Sequence, residues 1–184
     1  MDNDLGNHNI DNLKVIITDK NDMLDIPNFP KYKLNKKTNK VFNLKNIKYM
    51  KTHLDKDGYV VITLNNEIKK KRPYGLHRIV YSAHNPTEDI SLFQIDHINC
   101  DKTNNNIDNL RTATASQNQM NTKTPKNNTL GYKNISRTKY NTFSITIEKN
   151  KKTYNKSLPT LEEAIIWRDN KQKELFGEFA NSGK

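Results

Sequence analysis

The chain has 184 residues, with 31 Lys and Arg against 20 Asp and Glu, a net charge of +11 and a pI near 9.6. Only 33% of residues are hydrophobic and mean hydropathy is −0.95, which excludes one large apolar core and favours small modules with thin cores. Apolar runs such as residues 15–17 and 60–62 fall far short of the roughly 20 residues a membrane-spanning helix needs.

The opening MDNDLGNHNI has neither a basic n-region nor an apolar h-region, so no signal peptide is expected. Cys100 is the only cysteine, which excludes an internal disulfide and a Cys-based zinc site. Asn is abundant, at 28 residues, and Lys outnumbers Arg by 26 to 5. An AT-rich coding bias produces that pattern, so an individual Asn carries a message only through its position.

Charge is unevenly distributed. Residues 1–30 hold 2 Lys against 6 Asp, whereas residues 31–80 hold 14 basic against 3 acidic groups. Residues 81–125 hold 3 basic against 5 acidic, and residues 126–184 hold 12 against 6. A basic block attracts a polyanion by releasing its counterions. A mildly acidic patch between two such blocks suits metal and phosphate chemistry held against nucleic acid.

Taken in chain order, residues 1–30 read as an acidic, flexible tail, with one short strand near 15–18. Residues 32–35, 40–43 and 58–65 read as strands, the last from the alternation of Tyr59, Val61 and Thr63 with Val60, Ile62 and Leu64. Lys69 to Arg72 forms a basic turn. Leu76, Ile79, Val80 and Ala83 have helical spacing, and Asn85-Pro86 stops that helix. A short apolar run then enters Asp96-His97. A polar loop with three consecutive Asn follows, then a strand at 109–111 and a helix at 114–121 capped by Thr112 or Thr114. Residues 123–130 read as a linker and a domain boundary. Beyond it, 132–137, 142–148 and 152–158 read as three strands. Thr160 and Glu163 open a helix that Gly177 stops.

The chemically loaded residues are Asp96-His97, Asn109-Leu110-Arg111 and Asn118 to Asn121. Phosphodiester hydrolysis needs a base to take a proton from water, and a neutral imidazole serves. It also needs a hard cation with oxygen ligands to carry developing charge. His97 can supply the first. Asp96 and the carboxamide of Asn118 can supply the second, and Asn109 can orient the imidazole.

This order of residues resembles the HNH type of ββα-metal nucleases, in the variant where Asn replaces the last His. Leu76-His77-Arg78-Ile79-Val80 resembles the helix that precedes Asp-His in phage and intron-encoded HNH homing endonucleases, and the match spans about residues 31–122. The resemblance implies His97 as general base supported by Asn109. Asp96 and Asn118 would hold one divalent cation, Mg²⁺ with Mn²⁺ as a substitute. It further implies products with 5′-phosphate and 3′-hydroxyl ends. His77, Arg78, Arg111 and Asn121 are candidate DNA contacts, with site support or helix packing as the alternatives for His77 and helix capping or metal binding for Asn121. An amide ligand argues against zinc.

Gly131-Tyr132-Lys133-Asn134-Ile135-Ser136 and the end Leu175 to Ala180 resemble the plant ethylene-response-factor (Apetala-type) DNA-binding domain, which lays a three-stranded sheet in the major groove. That resemblance implies Arg137, Lys139, Tyr140 and Lys152 as DNA contacts. With Lys, Ser and Thr at positions where that family carries aromatics and Arg, phosphate contacts are expected over bidentate base reading.

The expected architecture is α+β. Short antiparallel strands precede a ββα-metal core, and a three-stranded sheet with one helix follows. The domains expected are a tail at 1–30, a nuclease at 31–122, a linker at 123–130 and a DNA reader at 131–184. The expected activity is metal-dependent, site-specific cleavage of double-stranded DNA by an intracellular, phage- or virus-encoded monomer, with no membrane and no small-molecule substrate. The alternative is a catalytically inactive, sequence-specific DNA-binding regulator.

Overall fold

The computed structural model describes residues 20–66 and 70–183. The strand expected near 15–18 and the Lys69 end of the basic turn lie outside these residues. The chain divides into two compact units, Met1–His97 with Asp101–Arg111, and Ile98–Cys100 with Thr112–Lys184. Each has its own core, as the low hydrophobic content requires.

The first unit opens with a four-stranded antiparallel sheet, β1 (Met23–Asp25), β2 (Tyr32–Asn35), β3 (Lys40–Asn43) and β4 (Lys48–Tyr49), in that spatial order. The expected flexible tail is therefore corrected at its C-terminal end. Leu24 pairs with Leu34, and Ile26 and Phe29 are buried. Asp22 pairs with Lys37 at 2.5 Å and Lys36 at 3.5 Å. The acidic charge that reads as a solvated tail is thus matched by the basic hairpin beside it, while three apolar side chains enter the core. The β2–β3 turn is stiffened by Asn35, whose Oδ1 accepts from the backbone N–H of Lys37 and Thr38 at 3.1 and 3.0 Å. Asn39 closes that turn in the left-handed region, φ 54°, which Asn tolerates.

In a second antiparallel sheet, β5 (Thr52–Leu54), β6 (Val60–Asn65) and β7 (Lys71–Gly75), Ile62 and Leu64 follow the predicted alternation, while Val61 is buried on the opposite face. Asp55 Oδ1 accepts from the backbone N–H of Asp57 and Tyr59, both at 2.9 Å, and so fixes the start of β6. Helix α1 (Leu76–His84) buries Leu76, Ile79, Val80 and Ala83, the face its spacing predicts. His84, at the end of α1, is half-buried with its Nε2 sealed. Strand β8 (Gln94–His97) pairs with β9 (Leu110–Ala113), with the Asn-rich loop and a short 3₁₀ turn (Ile107–Asn109) between them.

The second unit begins with helix α2 (Ala115–Met120), so strand, strand and helix follow one another in the order expected of the core. Thr114 caps α2 in a reciprocal box with Gln117. Segment 123–130 lies within this unit, where the Thr124 N–H and hydroxyl donate to the Gly183 carbonyl at 3.2 and 2.8 Å. The three-stranded sheet β10 (Ile135–Arg137), β11 (Phe143–Lys149) and β12 (Lys152–Leu158) is antiparallel, and helix α3 (Leu161–Phe176) packs on it. Ile135, Ile145, Ile147, Ala164 and Phe176 form the core, with Met120 of α2, and Trp167 packs against it.

Two buried cations brace this unit. Lys133 Nζ donates to the carbonyls of Met120 and Thr122, and Arg168 Nη1 donates to the Lys133 carbonyl at 2.8 Å. Burial pushes the Lys133 ammonium down to about 8.

Candidate active site

The site starts at the end of β8. Asp96 is 3% exposed and His97 4%. Burial of either group without a partner would be costly, and each has one. Asp96 Oδ2 accepts from Arg111 Nε at 3.0 Å, across the β8–β9 ribbon.

His97 Nε2 lies 3.1 Å from Oδ1 of Asn105 in the polar loop. The Asn105 Nδ2 donates to the Thr103 carbonyl at 3.1 Å, so the oxygen end of the amide faces the imidazole. Nε2 must then carry the proton, and the neutral ring has its basic lone pair on Nδ1. The loop is held from two sides. Asn109 Nδ2 donates to the Asn104 carbonyl at 2.8 Å, and Asn39 Nδ2 donates to the Asn105 carbonyl at 3.1 Å. Asn109, expected to support His97, thus anchors the residue before the one that faces it.

Three rings pack together here. His77, on the first turn of α1, is 5.1 Å from His97 and 5.3 Å from Tyr59, and Tyr59 is 6.0 Å from His97, centroid to centroid. Lys102 Nζ stands 4.3 Å over the Tyr59 ring and donates to the Asp57 carbonyl at 2.8 Å. Burial first, then His97 and Arg78, push His77 down to about 4, against an opposing pull from Asp55. It is a neutral imidazole at ordinary pH. Asn105 and Tyr59 escape sequence reasoning. Asn105 is the middle of three consecutive Asn that read as composition, and Tyr59 reads as a strand residue in a Gly-Tyr pair with no role in the site.

Other expected site residues are placed differently. Arg78, an expected DNA contact, donates Nη1 and Nη2 to the carbonyls of Phe93 and Ile90, both at 2.9 Å, and so braces the approach to β8. The DNA contact expected of Asn121 is corrected. It is buried at the end of α2, donates to the Ile98 carbonyl at 3.3 Å and accepts from Asn181 at 2.8 Å. An amide enclosed in this way ties the segments around residues 98 and 181 together and is not a surface group. Asn118 is half-buried on α2, in the second unit. Arg137, Lys139, Tyr140 and Lys152 are exposed in that unit. Arg137 Nε donates to Asn141 Oδ1 at 2.8 Å, and Lys139 lies over the Tyr140 ring.

The register of the three-stranded sheet adds residues that the sequence did not single out. Ile145 and Ile147 point toward α3, so Ser144 and Thr146 lie on the other face, with their ladder partners Ser136, Ser157 and Asn155. That face is one of hydroxyls and an amide. In the first unit, an open groove of about 740 Å³ is lined by Lys37, Lys40 and Lys51 and by the Thr103–Asn106 stretch of the loop that holds His97.

Residues 74–120 match the HNH endonuclease family. An uncharacterised HNH endonuclease of Acanthamoeba polyphaga mimivirus is 36% identical over 135 residues, which cover 73% of this chain and 67% of that protein. The chain belongs to the HNH endonuclease family. Protein 3.8 of Escherichia phage T7 is 37% identical over 89 residues, covering 48% of this HNH chain and 74% of the phage protein. A solved structure of DNA binding and cleavage by the HNH homing endonuclease I-HmuI is 24% identical, with a TM-score of 0.43, over 74% of this chain and 76% of that one.

The family match takes in His77, Asp96, His97, Asn105, Asn109 and Asn118 and ends before the three-stranded sheet. Among the described residues no three His, Cys, Asp or Glu side chains converge on one point, and no helix is long and apolar enough to cross a membrane. The donors present are one buried carboxylate and amide oxygens. Such a set fits a hard cation that completes its shell with water and phosphate oxygens, as Mg²⁺ does, better than it fits zinc.

Proposed function

We propose that this protein is a metal-dependent, site-specific DNA endonuclease of the homing type. The observation that carries the reading is the buried His97 with Nε2 directed at Asn105, which leaves Nδ1 as the base, beside the buried carboxylate of Asp96.

In this reading His97 Nδ1 takes a proton from water, which attacks the phosphorus. The 3′ oxygen leaves, giving 5′-phosphate and 3′-hydroxyl ends. Asn105 holds the ring in the tautomer that has a basic Nδ1, and the Asn109 and Asn39 bonds hold the loop that carries Asn105. Asp96 is the proposed protein anchor for Mg²⁺, with Mn²⁺ as a substitute. Asn118 is the proposed second ligand on the strength of the family resemblance. When bound, the cation would offset the charge that develops on the phosphoryl group and the departing oxygen.

Double-stranded DNA is the proposed partner, engaged by a monomer inside the cell that the encoding phage or virus infects. The basic groove beside the loop supports that partner in the first unit. For the second unit, three antiparallel strands backed by a helix support a reader of ethylene-response-factor type. Ser136, Ser144, Thr146 and Asn155 join Lys139 and Tyr140 as its candidate contacts, while Arg137 and Lys152, which pair with Phe143 and Lys149 in the register of the α3-facing residues, are proposed on the resemblance alone.

The test is supercoiled plasmid with Mg²⁺, alongside EDTA and His97→Ala controls. Nicked or linear product from the wild type alone supports the reading, and loss of the base should lower the rate about 10²- to 10⁴-fold. Gel-shifted DNA that is never cut, on substrates that include the target site, would instead favour a DNA-binding regulator.

A further inference from the structure

His77, expected only in general terms as a DNA contact, packs between Tyr59 and His97. Its Nδ1 is buried and has no hydrogen-bond partner among the described residues, whereas Nε2 is not sealed in this way. The ring leans onto Gly75, where a Cβ would stand 2.5 Å from Cε1 and 3.0 Å from Nδ1. Gly75 has φ −62°, an ordinary value for any residue, so the glycine is required by the space the imidazole fills and not by the backbone.

A neutral imidazole carries one proton. An N–H buried without an acceptor is the least tolerated unsatisfied group in a protein interior, and a buried lone pair is less costly. The proton of His77 therefore resides on Nε2, the nitrogen that is not sealed. The pKa near 4 keeps the ring neutral across the working pH range. It therefore places no cation beside His97, whose ring is 5.1 Å away.

We infer that His77 is a substrate-contacting residue, which presents a neutral Nε2–H donor to a phosphodiester oxygen of the strand cut at His97, with Gly75 providing the space that sets its ring. This rests on the nuclease reading above.

Two substitutions separate donor from ring. Gln can place an amide N–H near the position of Nε2, whereas Phe fills the ring space with no donor. On supercoiled plasmid with Mg²⁺, His77→Phe should lower kcat about 10- to 100-fold with KM little changed, and His77→Gln should keep activity within about threefold of wild type. Gly75→Ala should lower kcat in the wild type and have no further effect in His77→Ala. Full activity in His77→Phe, or equal losses in Phe and Gln, would overturn the inference.

A long-range ¹H–¹⁵N spectrum of the wild type, with Ca²⁺ and with or without a short duplex DNA, reads the donor without catalysis. The expected result is an Nε2–H tautomer at His77 whose signal moves on adding duplex. An Nδ1–H tautomer, or a signal that duplex leaves in place, overturns the proposal. A wild type that cuts no DNA would sink the nuclease reading, and the nitrogen spectrum would still decide whether His77 is a donor to DNA.

Discussion

Asn105 Oδ1 faces His97 Nε2 at 3.1 Å, and the Asn105 amide is itself turned by the Thr103 carbonyl. Two residues eight apart in the chain thereby select one tautomer of one imidazole. Asn105→Ala removes the acceptor without touching the base. It should lower kcat about 10- to 100-fold, because a catalytic group displaced by a fraction of an ångström loses much of its effect. Cleavage kinetics should show the loss in kcat, with DNA affinity by gel shift within about twofold of wild type. Asn105→Asp, which can still accept from Nε2, should be milder.

The ion pair between Arg111 and Asp96 gives a second prediction. The carboxylate is 3% exposed and the guanidinium 14%. Arg111→Ala leaves a buried charge without this partner and should reduce stability by about 3 kcal/mol. Adding Asp96→Asn should restore part of that loss, since the neutral amide does not need the guanidinium. Urea unfolding of the two single variants and the double variant measures the coupling. Strict additivity would remove the ion pair from the stability of the first unit.

His77 makes stability depend on pH at the acid end. Its pKa is about 4 folded against 6.5 unfolded. Between those values the unfolded chain holds a proton that the folded chain does not, so stability rises with pH across the window. It should be fully present above pH 6.5 and be lost as pH falls toward 4, by up to roughly 3 kcal/mol from this group. Thermal melts of wild type and His77→Phe from pH 7 to 4 should converge or cross as the acid limit is approached. Parallel curves would exclude a buried neutral His77.

Lys133 acts at the alkaline end of the scale. Folded near 8 and unfolded at 10.5, it also releases its proton earlier in the folded state. The same sign follows: between pH 8 and 10 its contribution to stability increases with pH. Lys133→Met removes the donors to the Met120 and Thr122 carbonyls and should destabilise the second unit by about 2 kcal/mol at neutral pH. The gap to wild type should widen when melts are repeated at pH 9.5, and a gap that narrows would contradict the depressed pKa.

Much of this protein is legible in its sequence. Alternation of apolar and hydroxyl residues specifies β11, an apolar run specifies β6, i, i+3, i+4 spacing specifies α1, and Thr114 and Thr160 mark helix starts through bonds that reach only three residues. The order Asp96-His97, Asn109, Asn118 announces the family because resemblance is carried by residue identity and spacing. Local rules fail where the partner is distant or where one residue type has many uses. An acidic segment reads as a tail until Asp22 meets Lys36 and Lys37 across a hairpin. Asn121 reads as a DNA contact until burial shows that the Ile98 carbonyl and Asn181 take up its amide. Asn105 cannot be told from Asn104 and Asn106 by composition, and Tyr59, His77 and His97 lie 18 to 38 residues apart. Which nitrogen of His97 faces Asn105, and which face of the three-stranded sheet is free of the helix, depend on hydrogen-bond direction and strand register. Those are properties of contacts between segments, and only the tertiary structure decides them.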